Sequence, residues 1–86
     1  MENFTGTLDK IRVINMNPAL VRFTLELPDR NLNCLTLNPI IIDRMLMMEE
    51  QKYVAKVSGK FNSRNQLIVS HFKVENPDDA IRKLGI

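Results

Sequence analysis

The chain has 86 residues, a hydrophobic fraction of 44%, a charged fraction of 26% and a formal net charge of +2, the values of one ordinary globular domain. This composition excludes a mainly disordered or collagen-like chain, and the longest apolar run, residues 45–48, is far shorter than the ~20 residues that span a bilayer. The N-terminus lacks a signal-peptide pattern, and a single cysteine excludes an intrachain disulfide. We therefore expect one cytoplasmic domain over residues 1–86, with no membrane partner.

The first half of the chain predicts three strands. Residues 4–14 alternate in polarity but change phase near Asp9-Lys10, which is typical of a β-bulge or a sharp bend. Residues 20–27 alternate cleanly, with one apolar and one polar face. Residues 32–37 form the third predicted strand, with Leu35 and Leu37 pointing inward and Cys34 and Thr36 pointing outward. The polar Asn33 does not fit this register. Turns rich in Asn, Pro and Asp separate these strands at residues 15–18 and 28–31.

The second half of the chain begins with a helix signal. Asn38 followed by Pro39 is a favourable N-cap and first helical residue, and residues 39–50 then carry an apolar stripe at helical spacing. Residues 52–61 and 66–75 predict two further strands, joined by a turn at residues 62–65. Residues 77–84 resemble a short helix that Asn76 caps and Gly85 ends.

This element order predicts an all-β fold with one or two short helices. Five strands, a bent first strand and a helix between the third and fourth strands favour a five-stranded Greek-key barrel over about residues 4–75. A short C-terminal helix then covers about residues 77–84. The residues expected to be buried in the barrel are Val21, Phe23, Leu25, Leu35, Val57 and Phe72.

The segment YVAKVSGKFNSRNQLIV, residues 53–69, resembles the fourth and fifth strands of nucleic-acid-binding OB-fold domains, a group that includes single-stranded-DNA-binding and anticodon-binding-like barrels. Residues 4–8, FTGTL, are similar to the first strand of the same group. The resemblance implies a ligand strip across strands two and three, bordered by the first loop and the loop between strands four and five. The residues that this implies for the strip are Arg22, Thr24, Cys34 and Thr36. The residues that it implies for the borders are Lys10, Arg12, Asn15, Asn17, Lys56, Lys60, Asn62 and Arg64.

Stacking on bases is the second requirement of such a site, because it stabilises bound single strands. Tyr53 and Phe61 lie near strand ends and are the candidates for stacking platforms. Both lie on the apolar face of the predicted fourth strand, the face expected to point into the core. A buried structural role is therefore the alternative for both.

The basic residues are distributed unevenly. The stretch from Lys52 to Lys73 carries Lys52, Lys56, Lys60, Arg64 and Lys73 and contains no Asp or Glu. A local excess of this kind is typical of a positive face that binds nucleic acid. A solvated lysine-rich surface that keeps strands from associating is the alternative interpretation.

Catalytic chemistry is poorly represented in the sequence. The single histidine, His71, and the single cysteine, Cys34, are too few for a Cys/His zinc site, and no glycine-rich phosphate loop is present. We therefore expect a protein that is not an enzyme and has no catalytic residues, metal or cofactor.

The predicted function is the binding of single-stranded nucleic acid, largely without sequence specificity, in DNA or RNA metabolism; the sequence does not distinguish the two polymers. Residues 82–86 differ from the acidic tail of bacterial single-strand-binding proteins, so an accessory role is expected. The alternative is a protein-interaction OB module or an oligomeric subunit of a larger nucleic-acid-handling complex. The helix carrying Met45–Met48 would then contact a second copy or a protein partner, since methionine side chains suit adaptable binding surfaces.

Overall fold

Five strands and two helices follow one another in the computed structural model, which describes residues 1–83. The strands are β1 (Glu2–Met16), β2 (Ala19–Glu26), β3 (Asn31–Thr36), β4 (Val54–Phe61) and β5 (Leu67–Val74), and the helices are α1 (Pro39–Met45) and α2 (Asp79–Lys83). The strands form a closed barrel in the order β1-β2-β3-β5-β4. The predicted five-stranded barrel with a helix between its third and fourth strands is confirmed, and its strand order is compatible with an OB-like fold.

β1 closes the barrel because it bends and pairs with two different strands. Its first half, residues 2–7, is antiparallel to β4, and its second half is antiparallel to β2. Within the second half, Lys10 and Ile11 together lie opposite Phe23, and Lys10 has a positive φ of 48°. The extra residue shifts the phase of the strand, so that Leu8 before the bulge and Ile11 within it both pack on the core. The bulge predicted near Asp9-Lys10 is therefore confirmed.

The register of β3 is opposite to the prediction. Leu32, Cys34 and Thr36 point into the barrel, whereas Leu37 is 57% exposed. Apolar residues occur at both parities of this strand, so its alternation did not identify the inner face. Pairing with both neighbours selects the register, since Thr36 lies opposite the buried Val21 and Cys34 opposite the buried Leu67.

Most of the predicted core is confirmed. Val21, Phe23, Leu25 and Val57 are buried, as expected. Leu35 and Phe72 are only half-buried. Leu35 lies on the outer face of β3, which explains its exposure. Phe72 shares the inner face of β5 with the buried Val74 and is nevertheless half-buried.

Helix α1 begins as predicted but ends early. The Asn38 side chain accepts hydrogen bonds from the backbone N–H groups of Ile40 and Ile41, which is the predicted cap. The helix ends at Met45 rather than at residue 50, and a tighter turn follows, in which the Met48 N–H donates to the Met45 carbonyl at 3.0 Å. The early end brings Met48 into the core.

Helix α2 is capped by a different residue from the one predicted. Asp78, not Asn76, accepts a hydrogen bond from the Ile81 N–H at 3.0 Å. Asn76 instead accepts from the Val54 N–H at 2.7 Å and so contacts the start of β4. The predicted stop at Gly85 lies outside the described residues. No helix within residues 1–83 has the length and apolar character needed to cross a membrane.

Candidate nucleic-acid interface

A basic groove lies on the outer surface of β1 and β2. It has a volume of about 200 Å³ and is lined by Lys10, Arg12, Ile14, Arg22 and Thr24, which we call the β1–β2 groove. The bulge turns Lys10 outward, and the register places Arg12 directly opposite Arg22. Four residues implied by the resemblance, Lys10, Arg12, Arg22 and Thr24, are thus brought together in one groove.

Glu50 compensates part of the positive charge in this groove. Its carboxylate oxygen Oε1 lies 2.6 Å from Nη1 of Arg12 and accepts a second hydrogen bond from the Ile11 N–H at 2.9 Å. Like charges facing each other across a strand pair are destabilising, so this carboxylate relieves the repulsion between Arg12 and Arg22. Within residues 1–83, Lys10 and Arg22 form no ion pair. These two exposed cations are therefore the ones available to a ligand.

The predicted strip on β3 is wrong for two of its residues. Thr36 is fully buried: its hydroxyl donates to the Val69 carbonyl at 3.2 Å and accepts from the Asn38 N–H at 3.2 Å. Cys34 is also fully buried, and burial raises the pKa of its thiol to about 12. A ligand on the outer surface of the barrel reaches neither side chain. The side chains that share the outer face with Arg22 and Thr24 are instead Leu35 and Asn33.

Tyr53 has the buried structural role that was the alternative to stacking. Its side chain is only 3% exposed, and its hydroxyl donates to Oδ2 of Asp78 at 2.9 Å. Burial and this hydrogen bond raise the pKa of the phenol. Lys52 places its ammonium 2.9 Å from the same carboxylate oxygen. Tyr53 thereby anchors the start of α2 to the barrel, and its ring is not available to a base.

The remaining predicted cations lie on a different surface. Lys56 and Lys60 are exposed on the outer face of β4, where Lys56 pairs with Thr5 of β1 and with Lys73 of β5. β1 lies between β4 and β2 in the barrel, so these lysines do not line the β1–β2 groove. The predicted site is therefore divided between two surfaces.

The predicted loop asparagines are partly engaged in shaping their turns. The Asn62 side-chain oxygen Oδ1 accepts from the backbone N–H groups of Arg64 and Gln66, and its side-chain nitrogen Nδ2 donates to the Gln66 side chain. Asn15 donates to the Pro18 carbonyl at 3.0 Å. Asn62 therefore defines the β4–β5 turn, on which Arg64 is exposed. Asn17 is exposed in the β1–β2 turn.

A second, polar cleft was not predicted from the sequence. It has a volume of about 310 Å³, and we call it the Asn cleft; its lining residues are Glu2, Arg30, Asn31, Leu32, Asn33, Phe61 and Asn65. Phe61, a predicted site residue, is half-buried here and meets Phe4 edge-to-face at a centroid distance of 5.9 Å. The one sequence signal for this cleft was Asn33, a polar residue that did not fit the predicted register of β3.

Other kinds of site receive no support from the described part of the chain. Residues 1–83 contain no cluster of three or more His, Cys, Asp or Glu side chains placed to hold a metal ion. Comparison of the chain with protein-family models and with curated proteins found no match to either.

Proposed function

We propose that this protein binds single-stranded nucleic acid through the β1–β2 groove. One observation carries the proposal: Lys10, Arg12 and Arg22 converge on a single groove on the outside of a closed five-stranded barrel. A row of cations on an open surface attracts a phosphate backbone and releases its counterions. Thr24 adds a hydroxyl that hydrogen-bonds phosphate or sugar oxygens.

The charge of the groove suggests weak, salt-sensitive binding. Arg12 is already paired with Glu50, so Lys10 and Arg22 are the two cations of the groove whose charge is not neutralised by a carboxylate of the described chain. Among residues 1–83, no aromatic side chain lines the groove, so this surface lacks the large energy of base stacking. Phosphate contacts carry no sequence information, so this groove binds different sequences with similar affinity. An accessory role in DNA or RNA metabolism, without catalysis, suits such a site.

The test removes the same number of charges from each basic surface. Lys10→Ala with Arg22→Ala removes two cations from the groove, whereas Lys56→Ala with Lys60→Ala removes two exposed cations from β4. Binding to labelled single- and double-stranded oligonucleotides is followed by fluorescence anisotropy at several salt concentrations. Because each phosphate contact contributes about 0.7 to the salt slope, the groove variant should lower the slope by about 1.4.

The β4 variant is the matched control, because its net charge equals that of the groove variant. It should keep the wild-type salt slope and lose little affinity. A larger loss in the β4 variant would move the binding site to β4 and β5. A wild-type protein that binds no single strand would refute the proposed function.

A second function, protein interaction, is favoured by the apolar residues around α1. Ile40 is 61% exposed, Leu46 48% and Met47 66%. Met47→Glu leaves the core intact, because this side chain faces solvent. Loss of a protein complex or of a dimer in Met47→Glu, together with unchanged binding in both charge variants, would favour this alternative.

A further inference from the structure

The Asn cleft continues the outer surface on which the β1–β2 groove lies. Thr24, which lines the groove, is paired with Asn33, which lines the cleft. Directly paired residues have Cβ atoms about 5 Å apart, so no other side chain separates the two sites along this ladder. A polymer held in the groove therefore meets the cleft one strand further around the barrel.

The two sites differ in charge. The groove is lined by three cations, whereas the cleft contains one cation, Arg30, and one anion, Glu2. Glu26, which is paired with Asn31 at the start of β3, adds a further carboxylate beside the cleft. These acids disfavour a phosphate group. The cleft accordingly suits an uncharged part of a nucleotide.

The lining of the cleft has the chemistry of a base-recognition site. The amides of Asn31, Asn33 and Asn65 each offer donors and an acceptor, which is the combination that the edges of bases require. Phe61 supplies an apolar wall, and its contact with Phe4 holds the ring in place. Arg30 lies over the Phe4 ring, with its guanidinium carbon 5.8 Å from the ring centroid. Phe4 therefore contacts both Phe61 and Arg30 and helps to position these two lining residues.

Glu2 gives the cleft a carboxylate that can accept hydrogen bonds. An ionised carboxylate only accepts hydrogen bonds, so it stabilises a base that presents an exocyclic amino group. Cytosine presents such a donor, whereas thymine and uracil present a carbonyl oxygen at the same position. Two acceptor oxygens facing each other in the cleft would repel.

We propose that the Asn cleft binds one base of a strand held in the β1–β2 groove and prefers amino-bearing bases to thymine and uracil. This inference rests on the proposed function, because the groove supplies the strand. The contacts in the groove carry no sequence preference, and the cleft adds a preference for one class of base.

The test compares oligomers of deoxycytidine and deoxyuridine, because the two bases differ only at C4 and in the proton on the adjacent N3, and neither carries the C5 methyl group of thymine. Oligomers of about 12 nucleotides match the site size of one small barrel. By anisotropy, the wild-type protein should bind the cytidine oligomer about 5- to 10-fold more tightly. Glu2→Ala with Asn33→Ala should reduce this ratio to about 1 and leave the affinity for the uridine oligomer unchanged.

Two controls separate the cleft from the groove. Asn3→Ala removes an exposed amide that does not line the cleft, and it should keep the wild-type ratio. Lys10→Ala with Arg22→Ala should weaken binding of both oligomers equally and also keep the ratio. Equal binding of the two oligomers by the wild-type protein would overturn the base preference and leave the proposed function standing.

A titration with free nucleotides tests the cleft without the groove. Cytidine 5′-monophosphate should shift the NMR signals of the Asn33 and Asn65 side-chain amides more than uridine 5′-monophosphate does. If no oligomer binds but cytidine monophosphate shifts these amides selectively, the proposed function fails and the cleft keeps its base preference. If neither measurement shows binding, both proposals are refuted.

Discussion

Gly59→Ala should destabilise the barrel strongly, because two strands approach closely at this position. A Cβ atom at Gly59 would lie 2.0 Å from the carbonyl oxygen of Ile68 and 2.8 Å from its carbonyl carbon. Ordinary contacts begin at about 3.4 Å, so the carbonyl would have to retreat by roughly 1.4 Å. The clashing atoms belong to the backbone, and no change of side-chain rotamer relieves the overlap.

The cost follows from the ladder that this movement would disturb. Gly59 pairs with Val69 beside a bulge, and the next pairs, Lys60 with Ile68 and Phe61 with Leu67, complete this end of β4 and β5. Hydrogen bonds in such a ladder need donor–acceptor distances of about 2.7–3.2 Å, so a shift of this size breaks the nearest ones. Overpacking costs about 1–3 kcal/mol, and each lost hydrogen bond costs about 1 kcal/mol net. We expect a total loss of about 3–5 kcal/mol.

Urea denaturation followed by circular dichroism measures this loss. A domain of this size has a free energy of unfolding of about 4–13 kcal/mol, so a loss of about 3–5 kcal/mol is a large fraction of it and should lower the urea midpoint clearly. The control is Ser58→Ala at the neighbouring residue of β4, whose hydroxyl donates to the Asn3 side chain; it should cost less than about 1 kcal/mol. A Gly59→Ala variant within about 1 kcal/mol of the wild type would refute the close approach of β4 and β5.

Two further substitutions test the core and the anchor of α2. Phe23 is 1% exposed, so Phe23→Ala should lower the free energy of unfolding by about 3–5 kcal/mol in urea; a variant as stable as the wild type would contradict the register of β2. Hydrogen bonds from Lys52, the Ile81 N–H and Tyr53 lower the pKa of Asp78 from 3.8 to about 2. Because the folded pKa is the lower one, Asp78 contributes stability above pH 3.8 that is lost as the pH falls through about 2. Asp78→Asn should remove this part of the acid dependence in thermal melts between those pH values, and an unchanged acid profile would contradict the anchor.

The protein has two basic surfaces, the β1–β2 groove and the outer face of β4, that can be compared as sites for nucleic acid. The resemblance to OB-fold domains implied one continuous site, whereas β1 separates the groove residues from Lys56 and Lys60. The groove has a shaped concave surface, and the β4 face places Lys56 beside Lys73, where like charges repel. The concave shape, rather than the charge, is therefore what supports the groove in this proposal.

The sequence alone determined the features that depend on neighbouring residues. The phase change at Asp9-Lys10 revealed the bulge, and Asn38-Pro39 revealed the start of α1, because bulges and helix caps are local structures with local signatures. The alternation of β2 and β4 identified their inner faces, since on each strand the other parity is polar except at the start of the strand, at Leu20 and Val54. These local signals were sufficient to predict the element order and the barrel.

Only the tertiary structure decided the features that depend on residues far apart in the chain. β3 carries apolar residues at both parities, so its inner face was selected by pairing with β2 and β5, where the buried hydroxyl of Thr36 finds the Val69 carbonyl. Tyr53 became an anchor because Asp78, 25 residues away, accepts its hydrogen bond. The Asn cleft joins Glu2, the start of β3 and the end of β4, three segments that no periodicity links. Barrel closure brings these segments together, and a binding surface built in this way has no signature in any one stretch of sequence.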